Sequence, residues 1–105
     1  MPNPRIEPLK KVLAIDPHDD VAWFGLGKAY MDDGDFEEAA NALRQCVTVK
    51  PTYSAAYFAL AQSLQTLHRF DECRTIIETG IEVSTKNGDV MVTRNLEALK
   101  NTLPS

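Results

Sequence analysis

Residues 23–30, Trp23-Phe24-Gly25-Leu26-Gly27-Lys28-Ala29-Tyr30, decide how this 105-residue chain is read. Trp23, Leu26, Gly27 and Tyr30 follow the i, i+3, i+4, i+7 spacing of one face of an α-helix. Three are large and apolar or aromatic. The fourth is a glycine in mid-helix, which costs roughly 1 kcal/mol relative to alanine unless something must come close there. The stripe therefore predicts a helix pressed onto a partner that approaches at Gly27. Thirty-four residues on, Tyr57, Leu60, Ala61 and Leu64 repeat the order aromatic, aliphatic, small, apolar. A fixed period of this size is the mark of a stacked repeat.

Working outward, punctuation residues divide the chain into six predicted helices. Pro2 and Pro4 predict a poorly ordered start over residues 1–6. Pro8 is incompatible with a helix begun at Pro4, so the first helix is predicted from Glu7 to Ile15 and stopped by Pro17. The second runs from Asp20 to Asp33, with Asp19 or Asp20 as N-cap. Gly34 suits a left-handed closing residue, and Asp35 can cap the next helix. The third spans 36–49, buries Phe36, Ala39, Leu43, Cys46 and Val47, leaves Glu37, Asn41, Arg44 and Thr48 in water, and ends at Pro51. The fourth spans 54–67. At the following turn His68 takes the place of glycine, as a residue that tolerates positive φ. The fifth spans 70–86 with Phe70, Cys73, Ile76, Ile77 and Ile81 inward. Asn87-Gly88-Asp89 closes it and caps a sixth helix, 90–102. There the period slips: Met91 and Arg94 stand in the slots of Trp23 and Leu26, and the cleaner stripe is Val92, Leu96, Leu99 and Leu103. That pattern predicts a terminal helix that hides the last apolar face.

Composition bounds the function. The chain is 44% apolar and 25% charged with a net charge of −4. This fits one small folded domain and predicts no nucleic-acid partner, which would require a basic face. No apolar run approaches the roughly 18 residues of a spanning helix, and no apolar stretch follows Met1. A soluble, unexported, cytoplasmic protein with no membrane partner is expected. Cys46 and Cys73 fall on inward faces and read as small core residues rather than a disulfide or metal pair. His18 and His68 are isolated in loops. Asp32-Asp33-Gly34-Asp35 lacks the alternating ligands of a calcium loop. No phosphate-binding loop, dinucleotide fingerprint or nucleophile elbow is present, and Gly25 and Gly27 lie inside a helix. The chain is expected not to be an enzyme, with no catalytic residues, no metal and no cofactor.

With these motifs in place, the chain resembles the tetratricopeptide repeat, whose pattern runs W-x2-L-G-x2-Y, then A-x3-F, then P. Trp23, Leu26, Gly27, Tyr30, Ala39 and Pro51 match it, with Leu43 where phenylalanine is usual. The second copy, Tyr57, Leu60, Ala61, Leu64, Cys73 and Ile77, is looser and carries Thr85 in the proline slot. Pro17 precedes Pro51 by one period, so residues 7–17 read as the second half of a truncated copy. The resemblance implies an all-α, right-handed α-solenoid of antiparallel helix pairs with a C-terminal capping helix. Residues 1–105 form a single domain on this reading: partial repeat 7–17, repeats 20–53 and 54–87, and cap 88–103. It also implies a protein or peptide partner held in a concave groove, with no common catalytic centre.

On the helical wheel, Val21, Phe24, Lys28 and Met31 form a second stripe about 100° round from Trp23. Their counterparts are Ala55, Phe58, Gln62 and Gln65. The resemblance places this face on the concave side, which makes these eight residues the candidate peptide-binding groove. The competing reading puts the apolar members under terminal segments as core. The family's carboxylate clamp for chaperone tails is not matched, since its slots hold Phe24, Lys28, Ala59, Asp89 and Thr93. The alternative function is a self-assembling element, a homodimer through the first or last helix. Leu9 and Val12 would lose their cover at a truncated N-terminal end.

Overall fold

A computed structural model describes residues 2–104 and contains six helices: α1 (Ile6–Ile15), α2 (Asp20–Asp32), α3 (Phe36–Val49), α4 (Ser54–Thr66), α5 (Phe70–Asn87) and α6 (Val90–Asn101). Short turns fold each helix back on the one before, and α2 with α3 and α4 with α5 make the most extensive contacts. α4 also packs beside α2 and α6, which strings the pairs into a stack.

Small residues let the helices close. Ala39, Ala40, Ala56 and Ala61 are fully buried. At Gly27 a Cβ would lie 2.5 Å from Leu43 Cγ, so α3 sits where any side chain on α2 would be. Gly80 does the same between α4 and α6, with Tyr57 Cβ at 2.7 Å and Leu96 Cδ1 at 2.8 Å from its added carbon. The larger core cluster joins Leu43, Cys46, Leu60, Leu64, Cys73, Ile77 and Leu96. A second, with Ile6, Leu13, Leu26 and Tyr30, binds α1 to α2 and α3.

The caps follow the sequence in part. Asp19, not Asp20, caps α2 by accepting from the Ala22 N–H at 3.0 Å, and Asp35 caps α3 through the Glu38 N–H. Gly34 has φ +76° and His68 has φ +59°, so both turns use the left-handed geometry that the sequence requires there. Asp89 behaves differently. Its carboxylate accepts from the Ser54 hydroxyl, while Asn87 Nδ2 donates to the Thr52 carbonyl at 2.8 Å. The α5–α6 turn is thereby tied to the start of α4 rather than capping α6.

Three other expectations are corrected. Residues 2–6 are anchored: Asn3 N–H and Arg5 reach Asp33 and Asp32, each at 2.7 Å, because the acidic α2–α3 turn attracts them, and Ile6 is buried. Met1 lies outside the described residues. The helix begins at Ile6 with Pro8 in its first turn, where backbone N–H groups have no intrahelical partner. Leu9 keeps its cover, since it lies in the space beside Gly25, whereas Val12 is exposed as expected and Ile15 more so. Arg44 is not simply in water but half-buried, with its guanidinium 2.6 Å from Glu72.

Both thiols are fully buried and donate to backbone carbonyls, Cys46 to Asp20 and Cys73 to Ala61. Burial, with Asp20 adding to it, pushes the Cys46 thiol up to about 12 from its ordinary 9.0, and burial raises Cys73 as well. A thiol with the ordinary value is about a tenth ionised at pH 8, whereas Cys46 is ionised to about one part in ten thousand. The folded state therefore holds these protons more tightly than the unfolded one. The Cys46 contribution to stability is complete below pH 9 and declines as pH rises from 9 towards 12, and that of Cys73 falls in the same direction. Ellman's reagent at pH 8 should label the native protein only slowly and both thiols at once in denaturing guanidinium. Rapid native labelling would contradict this packing.

Candidate functional site

α2 carries two faces about 100° apart, which share Trp23 and Met31 as contacts of both core clusters. Phe24 and Lys28 stand on one side, Trp23, Leu26 and Tyr30 on the other. The first side continues onto α4, which packs directly against α2.

On that first side Val21 is 65% exposed, and Phe24, Lys28, Met31, Ala55, Phe58, Gln62 and Gln65 are half-buried. The eight residues therefore lie on two neighbouring helices. Phe24, Met31 and Phe58 also pack against the larger core cluster, so these side chains are shared between the core and the face. Phe24 stacks on Tyr53, with ring centroids 5.0 Å apart and planes inclined by 26°. Lys50 Nζ stands 5.9 Å from the Tyr53 ring and 3.7 Å from Asp20. Burial, then Cys46 and Asp20, raise the Tyr53 phenol above its ordinary value. Lys28 makes no ion pair among the described residues. At the far end Gln65 donates to the Thr102 hydroxyl at 2.8 Å, which brings the end of α6 against this face. Tyr53 is absent from the sequence reading because it precedes α4 and belongs to no helical stripe. Its partner Phe24, one period before Phe58, was the available signal.

The Trp23 face is less covered than its apolar stripe predicts. Trp23 is half-buried rather than core, and with Leu26 and Tyr30 it floors an open cleft of 660 Å³ between α1 and α3. Lys10, Leu13, Ala14 and Pro17 line one side, and Glu38, Asn41, Ala42, Arg44 and Gln45 the other. Periodicity identifies residues that share a face but not whether a neighbour covers the whole of it. The indole N–H of Trp23 donates to the Pro17 carbonyl at 2.8 Å, and one period later the Tyr57 hydroxyl donates to Pro51 at 2.7 Å. Each aromatic thus ties the start of its helix to the prolyl turn before it.

Comparison with known proteins agrees with this architecture. The profile of the tetratricopeptide repeat matches residues 6–45 and 30–90. The TPR repeat-containing protein PA0015 of Pseudomonas aeruginosa is 38% identical over 84 residues, 80% of this chain and 80% of that protein. Among solved structures, the TPR2B-domain:pHsp70 complex of yeast Sti1 superposes with a TM-score of 0.85. It covers 91% of this chain and 77% of that one at 12% identity, a likeness of fold alone. The solution structure of BPP2914 from Bordetella parapertussis gives a TM-score of 0.77 at 29% identity, covering 91% of this chain and 84% of that one. The chain belongs to the tetratricopeptide repeat family. Its fold is an all-α solenoid of a class that generally mediates protein–protein interaction and is non-catalytic. No helix among the described residues is long and apolar enough to cross a membrane.

The hydrogen bond to Pro17 gives a direct check. Trp23→Phe keeps most of the ring packing and loses the donor, so urea unfolding should show a loss of about 1 kcal/mol. Trp23→Ala should fall at or below the low end of the about 3–5 kcal/mol expected for a fully buried aromatic, because this ring is only partly covered. A larger loss for Trp23→Ala would mean the cleft is closed in solution.

Proposed function

We propose that the α2–α4 face binds a peptide or helical segment of a partner protein, and that the chain acts as an adaptor or assembly scaffold. On this reading residues 20–53 and 54–87 are its two full repeats, 7–17 a partial one and 88–103 the cap. Val21, Phe24, Lys28 and Met31 form one wall of the groove and Ala55, Phe58, Gln62 and Gln65 the other. The observation that carries the proposal is a pair of half-buried phenylalanines on adjacent helices with Lys28 beside them free of any ion pair among the described residues. Two rings on neighbouring helices stand roughly 10 Å apart, a spacing that suits two anchors on one face of a bound segment. Lys28 favours an acidic group on that segment. The net charge of −4 favours basic residues flanking it, a preference that weakens with salt.

A second reading is favoured by the exposure of Ile15 (87%) on α1 and of Val90 (58%) and Met91 (65%) on α6. It makes the partner another copy of the chain, joined through a terminal helix into a homodimer.

The test measures retention of the natural partner on immobilised protein, alongside melting temperature and sedimentation mass. Lys28→Glu leaves the core untouched and should weaken retention with no change in melting. Phe58→Ala should cost about 2 kcal/mol of affinity, the usual size of an aromatic anchor. Its melting temperature should also fall, because part of the ring packs against the larger core cluster, so affinity is compared on the folded variant. Intact retention in both variants places the site elsewhere. A mass that doubles with concentration, and is restored to the monomer by Ile15→Ser, supports the second reading.

A further inference from the structure

The cleft floored by Trp23 lies on a face of α2 about 100° round from the proposed groove and shares none of its residues. The chain supplies its own comparison, because the second repeat builds the same junction one period later. There Leu60 and Leu64, the counterparts of Leu26 and Tyr30, are fully buried. Ile76 stands where the first repeat has Ala42, and Val47 where it has Leu13, and both pack against the core. Arg44 and Glu72 close the mouth at 2.6 Å. Their counterparts in the first repeat are Lys10 and Glu38, which form no ion pair with each other. Lys10 lies instead 6.0 Å from the centre of the Tyr30 ring and 3.9 Å from Glu7. One junction is thus filled by the chain's own isoleucine and latched by an ion pair. In the other an alanine replaces the isoleucine and the latch stands open.

We propose that the α1–α3 cleft is a second binding site, and that it takes a branched-aliphatic side chain, leucine, isoleucine or valine, presented by a segment of a partner protein. The second repeat indicates the chemistry, since it fills the equivalent place with Ile76. The floor of Trp23, Leu26 and Tyr30 and the walls Leu13 and Ala42 offer apolar contact from three sides. The mouth carries one charge of each sign in Lys10 and Glu38. An anionic group would meet Glu38 and a cationic group Lys10, so a neutral anchor is preferred. Arg44 is already committed to Glu72 and Asn41. The amides of Asn41 and Gln45 remain at the rim for the backbone that flanks the anchor. A volume of 660 Å³ lies within the about 300–1,000 Å³ of ordinary ligand sites and admits the anchor together with that backbone. The two sites use faces of α2 about 100° apart and share no lining residue.

N-acetyl-leucinamide is the probe and the indole N–H of Trp23, the chain's one tryptophan, is the reporter in a 1H–15N titration. Saturable shifts are expected at that indole and at the amides of Leu13 and Ala42, with none from N-acetyl-glycinamide. Ala42→Ile, which copies the second repeat, should weaken the response at least about tenfold because it fills the cleft from within, and its melting temperature is measured alongside because Ala42 is only 3% exposed. Ala14→Leu obstructs the opposite wall from an exposed position and should do the same, which keeps the test decisive if Ala42→Ile fails to fold. The proposal is overturned by an unchanged response in the folded variants, by an equal response to the glycine probe, by no saturable shift, or by shifts confined to Phe24, Lys28 and Phe58. None of these outcomes depends on the groove reading, whose test uses other residues.

Discussion

The contact between Gly27 and Leu43 is the constraint from which the rest of the stack follows. An added Cβ at Gly27 would fall 2.5 Å from Leu43 Cγ, so α2 and α3 meet at a distance that only a glycine allows. Leu43 is fully buried and belongs to the cluster that continues through Leu60 and Leu64 to Leu96. Fixing α3 against α2 therefore fixes the surface on which α4 packs. Gly80 repeats the device further along, where α5 takes in Tyr57 and Leu96 at similarly close range. The polar consequence is that α2 and α4 lie side by side and present Phe24, Lys28 and Phe58 together.

The two repeats show how one framework tolerates different contents. Trp23 and Tyr57 occupy the same slot and both donate to a prolyl carbonyl six residues back, one through an indole N–H and one through a phenol. The backbone tie is retained while the size and cover of the ring change. Around Tyr57 the junction is filled by Ile76 and Val47 and crossed by Arg44 and Glu72, whereas around Trp23 the corresponding places hold Ala42 and Lys10. A difference of a few side-chain carbons separates the open α1–α3 cleft from the junction that Ile76 and Val47 occupy in the second repeat.

The helices and most of their ends were legible in the chain because they depend on local chemistry. Period-3.6 stripes, Pro17 and Pro51 as stops, Asp19 and Asp35 as caps, and Gly34 and His68 as positive-φ residues each act within a few positions of themselves. The groove stripe from Val21 to Gln65 was legible as a face for the same reason. What periodicity could not supply is the neighbour. Trp23 was read as core because its stripe is apolar, but α1 and α3 leave one side of the ring open. Tyr53 was missed because its role is a stack on Phe24 from a turn. Asn3 and Arg5 were read as loose because their partners, Asp33 and Asp32, are brought near only when α1 folds against α2. Asp89 was read as a cap, and the hydroxyl of Ser54 proved the stronger claimant once α6 packed beside α4.

A double-mutant cycle on Gly27 and Leu43 measures the central constraint most directly. Helix propensity alone would make Gly27→Ala stabilising by about 1 kcal/mol. With Leu43 in place the added methyl has no room, so the single variant should instead lose about 1–3 kcal/mol in urea unfolding. Leu43→Ala should lose about 2–5 kcal/mol. In the double variant the shortened side chain makes room for the methyl, and the loss should be smaller than the sum of the singles by more than about 0.5 kcal/mol. A stabilising Gly27→Ala, or two losses that simply add, would mean that α2 and α3 do not meet at this point.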